Sequence, residues 1–263
     1  MITTLRGRRN MQAIAIKTPL IKKGDNIANI ILQSIKEQNL ELQNFDIVAI
    51  SSKALATAEG AIVKLEEITP SLKAKQLGEK YALEPEFVEL ILKEAPKIYG
   101  GVKKALLTLK NGILTVNAGI DQKNVPEGYV SLWPQNPQVK AEKIRHEIEK
   151  HTGKNVGILI VDSNVAPLRM GTRGLALAAA GFEAVRDCRG CLDLFHEPLI
   201  ITRHAVADDL ASVAHLLMGE TDERVPIILI KDAPVRFVDT FNPEDMKISE
   251  KECVFMNALT RTT

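Results

Sequence analysis

Two aspartates and a few short polar clusters hold most of the chemistry available to this sequence. Asp121 closes the run Asn117-Ala118-Gly119-Ile120-Asp121, and Asp162 follows the apolar stretch 156–161 and precedes Ser163 and Asn164. A carboxylate at the end of a buried strand, beside hydroxyl and amide oxygens, suits a hard cation such as magnesium or manganese. The plainer alternative is that both aspartates cap turns, where Asp and Asn are favoured. Lys53 follows Ser51 and Ser52, and Arg169 stands two residues before Gly171. Such cations beside flexible backbone can hold phosphate, or can simply stand in solvent as surface charges. Neither the Gly-rich loop ending in Lys-Ser/Thr nor a convincing dinucleotide fingerprint is present, so the common phosphate-binding motifs are missing. Cys188-Arg189-Gly190-Cys191 has the spacing of a zinc or redox pair, with His196 and His204 downstream. No second tight pair completes a zinc site, so no structural metal is expected there.

Elements must hold these residues in place, and the hydrophobic pattern indicates which. Residues 45–50 read as a short buried strand entering a polar loop at Ser51-Ser52-Lys53, and 156–161 as the clearest buried strand, ending at Asp162. Ile27, Ile30, Ile31 and Ile35 have helical spacing after the turn residues Gly24 and Asp25. Thr69-Pro70 predicts a helix start, with two helices over 70–95 broken near Glu84-Pro85. Residues 106–110 and 113–117 flank Asn111-Gly112, a strong hairpin signal because Asn-Gly supplies the positive φ angles of a tight turn. A helix is expected over 139–151, ending at Gly153, and another over 208–218, ending at Gly219. In the latter, Leu210, Val213, Ala214 and Leu217 form the core stripe. Residues 199–202 and 225–231 read as further strands.

Helices and strands mixed with a hairpin predict an α+β fold of mixed sheets with flanking helices. The expected division is a discontinuous main domain, 11–96 and 139–247, a smaller strand-rich lobe at 97–138, and a loose tail at 1–10. The 263 residues suffice for such a core. Hydrophobic residues are 45%, charged residues 25% and net charge +1, so no global field draws the chain to nucleic acid or an anionic membrane. No run approaches the roughly 20 apolar residues of a membrane span, no signal peptide is legible, and three cysteines suit a reducing compartment. A cytoplasmic protein is expected.

Taken in order, several motifs resemble the coenzyme F420-0:L-glutamate ligase family. Asn117-Ala118-Gly119-Ile120-Asp121 with Asn124 is similar to its N-A-G-I-D-x-x-N signature, and Pro19-Leu20-Ile21 to its L-P-L-I segment. Residues 53–60 resemble its K-I-V-S-K-A-E-G loop, and 162–171 its D-T-x-G-R-x-x-R-x-G segment. Arg186-Asp187, Arg189-Gly190 and Asp193-Leu194 follow R-D-Y-R-G-x-x-D-L. Residues 205–210 and 217–220 cover A-V-A-D-E-L and L-M-G-E.

The resemblance implies an α+β fold, neither Rossmann nor ATP-grasp, in an intertwined homodimer. It implies GTP-dependent ligation of L-glutamate to a deazaflavin acid through an acyl-phosphate, with magnesium or manganese and potassium as a further ion. By matching positions, Asp121 and Asp162 would bind metal, with Ser163 and Glu220 near a second ion. Pro19, Leu20, Ile21, Ser51, Ser52, Lys53 and Asn124 would border the nucleotide, and Arg169 would act on the transferring phosphoryl group. Thr57, Ala61 and Val165-Ala166 replace a lysine, an arginine and Gly-Arg of the family pattern. That thinning of cations keeps two alternatives open: a relative ligating a different acid, and a non-catalytic dimeric homologue that binds a cofactor.

Overall fold

Three stretches with almost no polar residue, 47–50, 157–161 and 227–230, are buried along their whole length. Strands of that kind must be covered on both faces. In the computed structural model, which describes residues 10–260, they form the middle of a five-stranded sheet. In chain order the elements are β1 (Gln12–Ile16), α1 (Ile27–Glu37), β2 (Ile47–Ser51), α2 (Ser52–Glu59), β3 (Ile62–Lys64), α3 (Leu72–Tyr81) and α4 (Pro85–Glu94). There follow β4 (Lys97–Val102), β5 (Ala105–Lys110), β6 (Ile113–Val116), β7 (Tyr129–Ser131), α5 (Pro137–Thr152), β8 (Gly157–Val165) and β9 (Thr172–Ala180). The rest are β10 (Arg186–Asp187), β11 (Arg203–His204), α6 (Val206–Met218), β12 (Ile227–Lys231) and α7 (Val254–Thr260). The expected α+β class with mixed sheets is what the chain adopts. The expected tail at 1–10 lies, but for residue 10, outside the described residues.

The chain packs as two units, residues 10–60 with Pro134–Pro243, and Ala61–Trp133 with 244–260. In the first, the sheet runs β1-β12-β2-β8-β9, and only the β2–β8 pair is parallel. Helix α6 packs on β8 and β9; α5 also packs on β8 and β9, and α1 on α5. Contact with α6 is close because Gly174 of β9 has no side chain: a Cβ there would stand 2.1 Å from the Ala211 carbonyl oxygen. The α6 core face is Val206, Ala207, Leu210, Ala211 and Ala214; of the predicted stripe Leu210 and Ala214 are buried, whereas Leu217, in the last turn, is 37% exposed.

The second unit pairs β4-β5-β6 in one antiparallel sheet and β3 with β7 in another. Phe87, Val88 and Ile91 of α4 share a core there with Leu106, Ala118 and Val130. The Asn111-Gly112 hairpin forms as expected, with φ of 51° and 77°. Its third strand comes from this chain, so the hairpin does not need a second subunit to be paired.

Four local expectations are corrected. Ser51 to Lys53 are not a loop: Ser51 ends β2 and Ser52 opens α2 directly. The helix expected at Thr69-Pro70 begins at Leu72, because Ser71 is the cap and its Oγ accepts from the Ala74 amide at 3.2 Å. Strand β8 does not stop at Asp162 but pairs with β9 through Val165. Residues 199–202 are not a strand: Ile200 and Ile201 are 73% and 82% exposed, so the apolar pair that suggested a buried strand faces solvent.

Candidate functional site

Strands β2 and β8 run parallel, and their pairing stops where β2 ends, with Ser51 opposite Val161. Their next residues are Ser52 and Asp162. The buried Ser52 hydroxyl donates to Asp162 Oδ1 at 3.0 Å. Carboxyl ends of neighbouring parallel strands are where open sheets present ligand-binding groups. Two of the residues expected to bind metal and nucleotide are thus in direct contact. Lys53, partly buried, takes the next position on α2. The segment after Pro19, Leu20 and Ile21 docks on the same helix: the Gly24 amide donates to the Ala58 carbonyl at 2.8 Å. Leu20 itself is 81% exposed.

Ser163 lies on the other face from Asp162. Strand alternation separates neighbours, and Ser163 pairs with Gly174, the residue that touches α6. Glu220, just past α6, belongs to that side. It accepts from Thr172 Oγ1 and contacts His215 Nε2 at 2.9 Å. The structure therefore makes two polar clusters from the expected set, Ser52 with Asp162 and Glu220 with Thr172 and His215. Sequence reasoning missed Thr172 and His215. The signal for His215 was its position five residues before Glu220, at the last turn of a helix ending in Gly219. Arg169 projects from the exposed 166–171 turn, between Leu168 and Met170, whose side chains are fully in solvent.

A β-bulge accompanies this end of the hairpin. Ile160 pairs with Ala178 but Val161 with Ala176, so Leu177 is an extra residue. The disrupted ladder leaves the Ala176 amide to another acceptor, and Asp208 Oδ1 of α6 takes it at 2.9 Å. Burial raises the Asp208 pKa, opposed by that amide and by Arg173. Asp208→Ala is expected to cost about 1–3 kcal/mol, the cost of an unsatisfied buried amide. Asp208→Asn keeps an acceptor without the charge and is expected to match or exceed the parent near pH 7. A raised carboxyl pKa gives a contribution that is full below the ordinary aspartate range and lost as pH rises through the raised value. The Asn variant's advantage should therefore shrink on acidification. Urea melts across the acid range would show this, and an advantage independent of pH would contradict it.

Asp121 and Asn124 sit in the other unit, and the residues before Asp121 have structural duties. Asn117 Oδ1 accepts from the Leu106 amide at 2.8 Å, and the Ala118 amide donates to Thr108 Oγ1 at 2.9 Å. Gly119, at φ +69°, lies under Trp133, whose ring would be 2.2 Å from an added Cβ. Ala118 itself is left-handed, at φ 57°. This strained corner delivers Asp121, whose backbone pairs both ways with Ser131 and whose Oδ1 accepts from the Lys123 amide at 2.8 Å. Asn124 follows, exposed and left-handed at φ 56°.

Among the described residues no group of three or more His, Cys, Asp or Glu side chains is gathered as a metal cage. None of the described helices is long and apolar enough to cross a membrane.

Comparison with known proteins adds to this geometry. A family model described as F420-0:Gamma-glutamyl ligase matches residues 15–232. The chain is 36% identical over 256 residues to the coenzyme F420:L-glutamate ligase of Methanocaldococcus jannaschii, which covers 96% of this chain and 100% of that one. It is 35% identical over 243 residues to the protein of the same name from Archaeoglobus fulgidus, covering 92% and 95%. With that from Methanothermobacter thermautotrophicus it shares 37% over 217 residues, covering 82% and 86%. The match takes in Asp121, Ser52, Asp162 and Glu220 alike, and the chain belongs to the F420-0:gamma-glutamyl ligase family.

Proposed function

We propose that this protein joins L-glutamate to the deazaflavin acid F420-0 in an amide bond, with GTP converted to GDP and phosphate. The reading is supported by the family and by the names its relatives carry. The observation that carries it is the Ser52–Asp162 contact where the parallel pairing of β2 and β8 stops. A single carboxylate with hydroxyl neighbours is a hard-oxygen site of the kind magnesium uses, where substrate phosphates and water supply the remaining ligands. Magnesium or manganese bound there would neutralise charge on the triphosphate, with potassium a further candidate ion. In the proposed reaction the substrate carboxylate attacks the γ-phosphate and GDP leaves. The glutamate amine then attacks the acyl carbon, loses a proton and expels phosphate. Asp162 and Asp121 would hold metal, Ser163 and Glu220 would serve a second ion, and Arg169 would reach the phosphoryl group from its turn. Pro19, Leu20, Ile21, Ser51, Ser52, Lys53 and Asn124 would border the nucleotide.

Incubation of the protein with F420-0, L-glutamate, GTP and manganese should give a product heavier by one glutamyl residue, with GDP released in equal amount. Hydroxylamine should divert the acyl-phosphate to a hydroxamate. Product formed without nucleotide would refute the acyl-phosphate route. A second acceptor acid is favoured by one observation, that the 166–171 turn exposes Leu168 and Met170 and contains a single cation. GTP turnover with another carboxylic acid but not F420-0 would select that reading.

A homodimer is also proposed. Its support is the segment 192–201, where Leu192, Leu194, Phe195, Ile200 and Ile201 are between 60% and 94% exposed. Apolar surface of that density marks association sites. Light scattering of the same preparation should give twice the chain mass, and a monomer at micromolar concentration would count against it.

A further inference from the structure

Cys188 and Cys191 lie outside the site described above, and the structure explains their spacing by a turn. The Cys191 amide donates to the Cys188 carbonyl at 3.1 Å, and Gly190 between them has φ +77°. This is the hydrogen-bonded four-residue turn in which the third position requires positive φ. In such a turn the first and last Cα atoms are less than about 7 Å apart. A disulfide needs about 4.4–6.8 Å between the same atoms. The turn therefore holds the two Cα atoms within a range that overlaps what a disulfide needs, while the Cys188 thiol donates to the Arg186 carbonyl at 3.8 Å.

The turn is also held from both sides. The Cys188 amide donates to the Thr202 carbonyl at 3.1 Å, and the Gly190 amide to Leu199 at 2.8 Å. The Leu199 amide returns a bond to the Cys191 carbonyl at 2.8 Å. Arg189 reaches back to Asp187 with Nε at 2.9 Å from Oδ1, and its guanidinium keeps that carboxyl well below the usual range. Fixing both ends of a pair makes ring closure effectively intramolecular. Both thiols are free, Cys191 exposed and Cys188 half-buried.

We propose that Cys188 and Cys191 form a redox-active dithiol, a modification site that closes to a disulfide on exchange with a small-molecule disulfide. One thiolate attacks the reagent's sulfur, giving a mixed disulfide and one released thiol. The second thiolate attacks the protein-side sulfur and releases the other reagent half. Two protein thiols are oxidised, one reagent disulfide is reduced to two thiols, and both thiol protons pass to the released thiolates. A disulfide at an exposed turn is of the labile kind, readily reduced again. Closure would staple the base of the apolar segment 192–201.

Oxidised glutathione is the probe, applied to the intact protein and quenched with an alkylating reagent. Titratable thiols are expected to fall from three to one, and the peptide joining Cys188 to Cys191 should be found without glutathione. Cys188→Ser and Cys191→Ser should each trap glutathione on the remaining cysteine of the pair, while Cys253→Ser should still close the bridge. Glutathione retained on both Cys188 and Cys191 of the parent protein would overturn the proposal, as would a cross-link through Cys253 or all three thiols surviving. Phenylarsine oxide, which needs two adjacent thiols, gives a readout without oxidation: the parent should retain it and both single serine variants of the pair should not. None of these readings depends on ligase activity.

Discussion

Asp162→Asn is expected to lower turnover about 10²–10³-fold, the size of effect seen when one electrostatic contact to a developing charge is lost. The fold should survive. Asparagine offers the same Oδ1 to the Ser52 hydroxyl, now 3.0 Å away, and Asp162 is only partly buried. What disappears is the negative charge that a divalent cation requires. Asp121→Asn makes the same test in the other unit, because an asparagine Oδ1 can still accept from the Lys123 amide and keep the turn. Calorimetric titration with GTP in the presence of manganese, beside thermal melting of each variant, separates site from scaffold. Weakened metal-dependent nucleotide binding at unchanged melting temperature is the expected pattern. Unchanged nucleotide affinity in both variants would sink the metal assignment.

The largest effect on stability is expected at Gly174. A methyl there would meet the Ala211 carbonyl oxygen at 2.1 Å, its carbon at 2.3 Å and the Ser212 nitrogen at 2.6 Å. All three are helix backbone, so no side chain can rotate away and β9 must separate from α6. Overpacking of this kind costs about 3 kcal/mol, and for a protein of this size should lower the melting temperature by about 6–12 °C. Gly171→Ala is the control. It meets nothing within 4 Å but has φ +94°, so its cost is conformational alone, about 1 kcal/mol. If Gly174→Ala melts no lower than Gly171→Ala, the close contact of α6 with the sheet is wrong.

Much of this was legible in the sequence wherever one physical signal acted alone. Ile27, Ile31 and Ile35 have no competing reading, and Asn111-Gly112 can hardly serve anything but a hairpin. The reading of Asp162 as a strand end was mistaken, because a polar Asp-Ser-Asn run looks like an ending when it pairs with β9 out of sight. Strand β9 itself escaped notice. Its alanines carry little periodic signal and its glycine, a poor strand former, is there for the helix above it. In the Asn117 to Asp121 motif the sequence reading weighed only Asp121, as a cation ligand or a turn cap. Asn117 and Gly119 prove to be occupied in building the corner that carries Asp121. Which residues meet Asp162 could not be read at all, since Ser52 is 110 positions away and arrives by parallel strand pairing.

The order of strands in the sheet bears on how the chain can be made. Strand β12, near the end of the first unit, lies between β1 and β2, near its beginning. Among the described strands β1 has no other neighbour, and it pairs Gln12 with Lys231 across most of the sequence. On a growing chain, β1 must wait and β2 must keep one edge open until residues 227–231 emerge. Loop closure over such a span is slow. The second unit waits as well, since its last piece is 244–260 and Lys97 meets Glu250 at 2.8 Å. Vectorial synthesis therefore completes the first unit only once Pro243 has emerged, and the second only after it; a chain stalled short of β12 would expose the apolar edge of Ile47–Ser51 to any partner strand nearby.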